Sequence, residues 1–507
     1  MARGIGFSLK LAAVVIAAAT AASAATPTAW FATATPPGLQ NPPQLASIGN
    51  PVRAPAFKLP AGQTAEPEFA GSRIQRDLRA IVGFSDAMEA TGVQFWGRIS
   101  GYPSETAAAN WFAAQLRSAG VKSVEVQTFD AAQPFWRPKT WEVRILADPA
   151  FGPGSADVIL RSAVPTSGSK IDGAINAPLV FAGEAGDPVR VDVRGKIAIQ
   201  HSRPTTGAYS DRSKIVQSTQ ALEAAGAVAV FNWVEQEGNM HVFDFASRGK
   251  PAFNLGGADG AFLKAVLGKA GARPVNARLT LDSEMATGLK AQNVIGVVPG
   301  LSTESVIVNA HLDSWFDGAG DNGDGVAVAL ALARHYAKAA AKPAKTLIFV
   351  GNAGHHSPGM NGATNLVRMN RPLLNTAVLV LNLEHVAQYQ VRTDPWRVDP
   401  TEEPKNVGVS NMNLFLIDKI TAAAARYGYT YNTMIDASVP GDLGGYAPLG
   451  VARVQGIHSG PLYHTSGDVV GSISVPGLER AAYFYRDFID AVLAAPASLV
   501  NPPAAAK

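Results

Sequence analysis

The chain has 507 residues, of which 47% are hydrophobic and 16% charged, with a formal net charge of +3 and no cysteine. That length exceeds one ordinary core, and the composition is that of a globular protein. A near-neutral balance without a basic run excludes a nucleic-acid footprint, and the lack of thiols excludes disulfides and thiolate metal sites, so any metal must be held by histidine and carboxylate.

Arg3 and Lys10 precede LAAVVIAAATAA, and Ala22-Ser23-Ala24 supplies small residues for cleavage. Residues 1–24 read as a signal peptide cut near Ala24, which predicts export to the periplasm or beyond and no membrane anchor after cleavage. Residues 25–71 are rich in Ala, Pro and Thr and read as an irregular lead segment. SRIQRDLRAIVGFSD then sets Ile74, Leu78, Ile81 and Val82 on one helical face, with Ser72 as N-cap. A second helix, TAAANWFAAQLRSAG, ends at Gly120, and VKSVEVQTF and TWEVRILA read as strands. Residues 165–285 carry their own strands (NAPLVFAG, GKIAIQHS, AVAVFNWV, NARLTLDSE) and one helix around Lys214, which predicts an inserted β-rich domain. His201 and His241 lie there singly and read as structural or surface residues. The remaining segments, 72–164 and 286–497, alternate apolar strands with helices. They predict one discontinuous α/β domain with a mixed, largely parallel sheet flanked by helices. Residues 498–507 read as a tail.

The chemistry concentrates at VIVNAHLDSWFDGAGDNGDG, residues 306–325. An apolar β-branched strand delivers His311 and Asp313 at its carboxyl end, a glycine-broken loop brings Asp321 back, and VAVALALARHYAK continues as a helix. Ligands of open α/β sheets sit at that end of the strands. His355-His356, Glu384-His385 and Tyr463-His464 follow or lie close to other apolar runs, and His with carboxylate suits zinc. Asp313, two residues past His311, is placed to hydrogen-bond the free ring nitrogen of a ligating histidine.

AHLDSW with GAGDNGDG, LNLEH, LYHTSGD and the start GRISGYPSE together resemble the zinc exopeptidases of the aminopeptidase Y and glutamate carboxypeptidase group, across roughly residues 72–495. The insert resembles a protease-associated domain through VRGKIAIQ, Lys214 and AAGAVAV. The resemblance implies two zinc ions, with one as the alternative, and a peptide or small amide as substrate. It implies that His311 binds one zinc, that Asp321 bridges both, that Glu384 is a ligand of the first and His464 of the second. Tyr463 would polarise the substrate carbonyl or stabilise the oxyanion, and Asp442 would lie near the site. The group's Glu-Glu pair, base and second-zinc ligand, is here His355-His356. The departure leaves His356 as a ligand and His355 as the base, if the chain hydrolyses peptides. The alternatives are an inactive relative that binds without turnover and a glutaminyl-cyclase-like acyl transferase. His385, His458, Asp317 and Asp324 read as packing, strand-end or loop residues and His335 as exposed. Trp315 and Phe316 either line the cleft or cover the loop.

Overall fold

A computed structural model describes residues 54–502, apart from 153, 207–211, 245–249, 358 and 437–440, together with 29–30 and 33–34. The signal-peptide reading and most of the lead segment fall outside the described residues. No helix among them is long and apolar enough to cross a membrane.

Two eight-stranded sheets organise the chain. The first runs, from edge to edge, Tyr431–Asp436, Lys405–Val409, Ala452–Ile457, Ala377–Leu383, Ser302–His311, Lys345–Asn352, Lys290–Val298 and Ser123–Asp130. Its four central strands, Ala452–Ile457 to Lys345–Asn352, are mutually parallel. Lys290–Val298 and Lys405–Val409 join them antiparallel on either side. The mixed α/β fold expected from the sequence is the fold observed. The parallel strands read as unbroken apolar runs because both faces are covered: Ala377–Leu383 is buried at every position. Helix Asp324–Lys338 is buried nearly all round, which its VAVALALA core demands. Gly325 starts that helix against a strand end, where a Cβ would meet the Leu383 carbonyl at 2.5 Å.

The first long helix runs Gly71–Glu89 and buries Ile74, Leu78, Ile81 and Val82 as the periodicity requires. Its N-cap is Ala70, without a side-chain bond, so Ser72 lies inside the first turn and does not cap it. The closing helix Val475–Ala494 packs beside it, and a short helix, Ala497–Val500, continues into what the sequence reads as tail.

The second sheet corrects the expected domain boundary. Phe135–Ile145, read with the α/β domain, pairs antiparallel with Asn276–Ala286 from Ala277↔Ile145 to Ala286↔Phe135. The second unit therefore begins near 135, not 165. A strand's sheet is set by its distant partner, which its own alternation does not reveal. The rest of this sheet is Ile175–Glu184, Ile197–Ser202, Ala229–Val234 and Ala252–Leu255, with two short edge strands, Val158–Ile159 and Val164–Pro165. Its core, around Phe231, Phe253, Leu263 and Leu279, also takes in Phe95, Trp96 and Phe316. The two units thus share one apolar seam.

Candidate metal centre

The parallel strands end together, and their ends carry the polar residues. His311 closes its strand beside Asn352, the last residue of Lys345–Asn352. Glu384 and His385 follow Ala377–Leu383 directly, and His464 lies in a turn beyond Ala452–Ile457.

Asp321 is the hub. Its Oδ1 lies 3.2 Å from His311 Nε2 and 3.2 Å from His385 Nε2. Its Oδ2 lies 3.1 Å from His356 Nε2 and 3.3 Å from His464 Nε2. Glu384 Oε1 stands 3.9 Å from both His311 Nε2 and His385 Nε2. Each of these residues is buried. Within this cluster, His311 Nε2, His385 Nε2, Asp321 Oδ1 and Glu384 Oε1 make no hydrogen bond, although all four are fully enclosed. Buried polar atoms of that kind are costly unless something else satisfies them. A cation does, and imidazole with carboxylate is the donor set zinc takes. The residues therefore fit a metal centre. Asp321, Glu384 and His385 form one group, with His311 Nε2 3.2 Å from Asp321, and Asp321, His356 and His464 form another; His311 and Glu384 also group with His355.

The surroundings aim these donors. Asp468 accepts the N–H groups of Gly320 and Asp321 at 2.7 and 2.9 Å, which fixes the Asp321 loop. Asp313 lies against two of these imidazoles, its carboxylate 3.5 Å from His356 Nδ1. Its carbonyl, not its carboxylate, takes the hydrogen bond from His311 Nδ1, at 3.0 Å, with Oδ1 at 3.7 Å. Its carboxylate instead accepts the N–H groups of His355 and His356 at 3.2 and 2.9 Å and so sets their turn. The His458 carbonyl accepts from His385 Nδ1. His385 is thus held with Nε2 toward Asp321, in the centre and not merely packed.

His355 stands apart from the Asp321 hub. Its ring stacks on His311 with centroids 4.0 Å apart, its Nδ1 lies 3.2 Å from Asp442 Oδ1, and its Nε2 faces Glu384 Oε1 at 3.7 Å. Tyr463 stacks on His464 with centroids 3.5 Å apart. Trp315 packs against His356 and His464, centroids 4.8 and 4.5 Å, and so lines the centre, whereas Phe316 is wholly buried between the two units. His335 is half-buried against Glu66 Oε2 at 2.9 Å, not exposed.

Electrostatics follow from this crowding. Burial pushes the His311 imidazole down, but Asp313, Asp321 and Glu384 outweigh it and hold it well above its ordinary value. His356 is raised to about 9, against the pull of burial, by Asp321 and Asp313. Burial alone would raise Asp321, yet His356, His385 and His311 hold it well below the usual carboxylate range. Protons on imidazole and a bound cation compete for the same negative charge.

Arg98 escaped the sequence reading. It is fully buried, and its guanidinium donates to the carbonyls of Leu312, Asp317 and Gly318 at 2.8, 2.7 and 2.9 Å. It therefore shapes the loop between His311 and Asp321. Ser100, two residues on, accepts the Gly354 N–H at 2.8 Å, next to His355. The signal was present in GRISGYPSE as a motif without an assigned role.

Residues 293–489 match the model of Peptidase family M28. A probable leucine aminopeptidase of Arthroderma otae is 25% identical over 223 residues, which are 41% of this chain and 58% of that protein. One of Trichophyton verrucosum is 26% identical over 200 residues, 36% and 51% of the two chains. The chain thus spans little more than half the length of these curated relatives. Among solved structures, a Peptidase M28 precursor from Shewanella amazonensis SB2B shares the fold at TM-score 0.61 and 19% identity, over 84% of this chain and 96% of that one. BSAP, a zinc aminopeptidase from Bacillus subtilis, does so at TM-score 0.57 and 22% identity, over 84% and 95%. The family match spans every histidine and carboxylate gathered around Asp321, and the solved structures share the fold.

Proposed function

We propose that this chain is an exported, zinc-dependent exopeptidase of the aminopeptidase type, with the insert serving as a protease-associated domain. The observation that carries the reading is the convergence on Asp321 of enclosed imidazole and carboxylate atoms with no hydrogen-bond partner among them. His311, Asp321, Glu384 and His385 would hold one ion, and Asp321, His356 and His464 the other. Zinc, when bound, supplies Lewis acidity to the scissile carbonyl and makes water acidic enough to be deprotonated near neutral pH.

The chain's own residues supply the rest. The second group, Asp321, His356 and His464, offers one protein donor fewer than the first and would leave room there for water. His355 takes the role of base. Asp442 accepts its Nδ1–H and leaves the Nε2 lone pair to take the proton of the attacking water, which then passes to the leaving amine. Tyr463, stacked on His464, is assigned to the carbonyl oxygen as it gains charge. Trp315 forms an apolar wall beside the same histidines.

The test is release of the N-terminal residue from unblocked peptides by the purified chain with zinc. His311→Ala abolishes turnover, and His355→Ala lowers kcat by about 10²–10⁴-fold. Undiminished turnover in His311→Ala contradicts the reading. One observation favours a second reading, binding without turnover: a histidine pair stands in place of the group's carboxylate pair. That reading predicts bound peptide and no product from the zinc-loaded protein.

A further inference from the structure

A buried polar ladder crosses the second sheet and ends at the metal centre. Gln200, Asn232 and Asn254 sit side by side in the parallel strands Ile197–Ser202, Ala229–Val234 and Ala252–Leu255. Gln200 Nε2 donates to Asn232 Oδ1 at 2.7 Å, and Asn232 Nδ2 to Asn254 Oδ1 at 3.0 Å. Asn254 Nδ2 then donates to the carbonyls of Val242 and Asp244, each at 3.0 Å. Such a row of amides in a sheet core is costly unless satisfied, and once satisfied it fixes one geometry.

What it fixes is a short segment laid against the His464 turn. Val242 bridges Thr465, the Phe243 N–H donates to the His464 carbonyl at 3.0 Å, and the His241 N–H donates to Ser466 Oγ at 3.0 Å. The segment ends at Asp244, whose side chain is only 1% exposed. Its Oδ2 lies 3.1 Å from His464 Nδ1, and its Oδ1 lies 3.1 Å from Arg212. The opposite ring nitrogen, His464 Nε2, faces Asp321.

We propose that Asp244, supplied by the second sheet's unit, is a positioning residue for the second ion. By accepting the Nδ1–H of His464 it selects the tautomer with a free Nε2, aims that nitrogen at the site beside Asp321 and makes it a stronger donor. The inserted unit is then a working part of the metal centre. The inference rests on the zinc reading above.

The test is stepwise zinc affinity of the full chain, by competition with a chromophoric chelator, together with the zinc content at saturation. Asp244→Ala weakens one of the two ions by about 10–100-fold and leaves the other unchanged. Asp244→Asn, which keeps an acceptor but no charge, weakens the same ion less, and carries the test if the alanine variant does not fold. Ser466→Ala removes a contact between the units without touching the carboxylate and leaves both affinities unchanged. Wild-type affinity in both Asp244 variants overturns the proposal, as does equal weakening in Asp244→Ala and Ser466→Ala. Failure of the wild-type chain to bind zinc overturns the metal-centre reading itself, and this inference with it, before any variant is read.

Discussion

Asn382 Nδ2 donates to Glu384 Oε2 at 2.8 Å, which leaves Oε1 as the oxygen turned toward His311 and His385. The amide is anchored in turn: Asn309 Nδ2 donates to Asn382 Oδ1 at 2.7 Å, and Tyr446 holds Asn309 at 2.8 Å. The carboxylate is therefore aimed by a buried row of amides beneath the strand ends. Asn382→Ala is expected to weaken the first ion by about 10–100-fold while the second changes less. Calorimetric zinc titration checks this, and unchanged affinity for both ions contradicts it.

Arg98 is a stability prediction. Its three carbonyl contacts and its Ser85 contact, at 3.1 Å, are wholly enclosed. Burial lowers its pKa to about 10, with Asp313 and Asp468 opposing, so it stays charged at neutral pH. Arg98→Ala leaves those carbonyls without donors and should cost about 3 kcal/mol of stability in denaturant unfolding. A loss within experimental error means the loop holds its shape unaided.

His241 sets part of the acid limb. It is enclosed by Trp96 and Phe316, and burial with no compensating charge lowers its pKa to about 4. A histidine depressed from 6.5 contributes stability that is fully present above pH 6.5. That contribution is lost as pH falls toward 4, because the unfolded chain takes up the proton first. The span corresponds to about 3 kcal/mol. His241→Phe should therefore move the acid-unfolding midpoint to lower pH, with little change at pH 8. Identical acid limbs for the two proteins rule out this role.

Metal removal should destabilise. Chelation leaves Asp321 Oδ1 and Glu384 Oε1 enclosed without a cation, and zinc at about 100 times its Kd restores about 2.7 kcal/mol per site. In the metal-free protein, His356 at about 9 gives stability that is complete below pH 6.5 and lost as pH rises through 9. The zinc-induced rise in Tm should accordingly grow between pH 6 and pH 9, and a pH-independent rise contradicts the competition of protons with metal.

Much of this was legible in the chain itself, for reasons that can be named. The run VIV followed by His311, a glycine loop and an apolar helix specifies a buried parallel strand and its turn, so the place of the site follows from periodicity. The role of His385 did not follow. Its neighbour Glu384 fills the motif position, and strand alternation would turn the two side chains apart. The left-handed backbone at His385, φ 51°, breaks that alternation and lets both reach Asp321. His464 has the same feature, φ 56°. The positions of Phe135–Ile145 and of Asp244 depend on partners far along the chain, to which no local pattern points.

Asp321 is the hub of a histidine-rich centre proposed to hold two ions. Elemental mass spectrometry of the purified chain, equilibrated with zinc and freed of excess metal, tests it most directly. Two zinc ions per chain are predicted, falling to none in Asp321→Ala. A chain that retains no zinc, or that keeps its full zinc content without Asp321, contradicts the account.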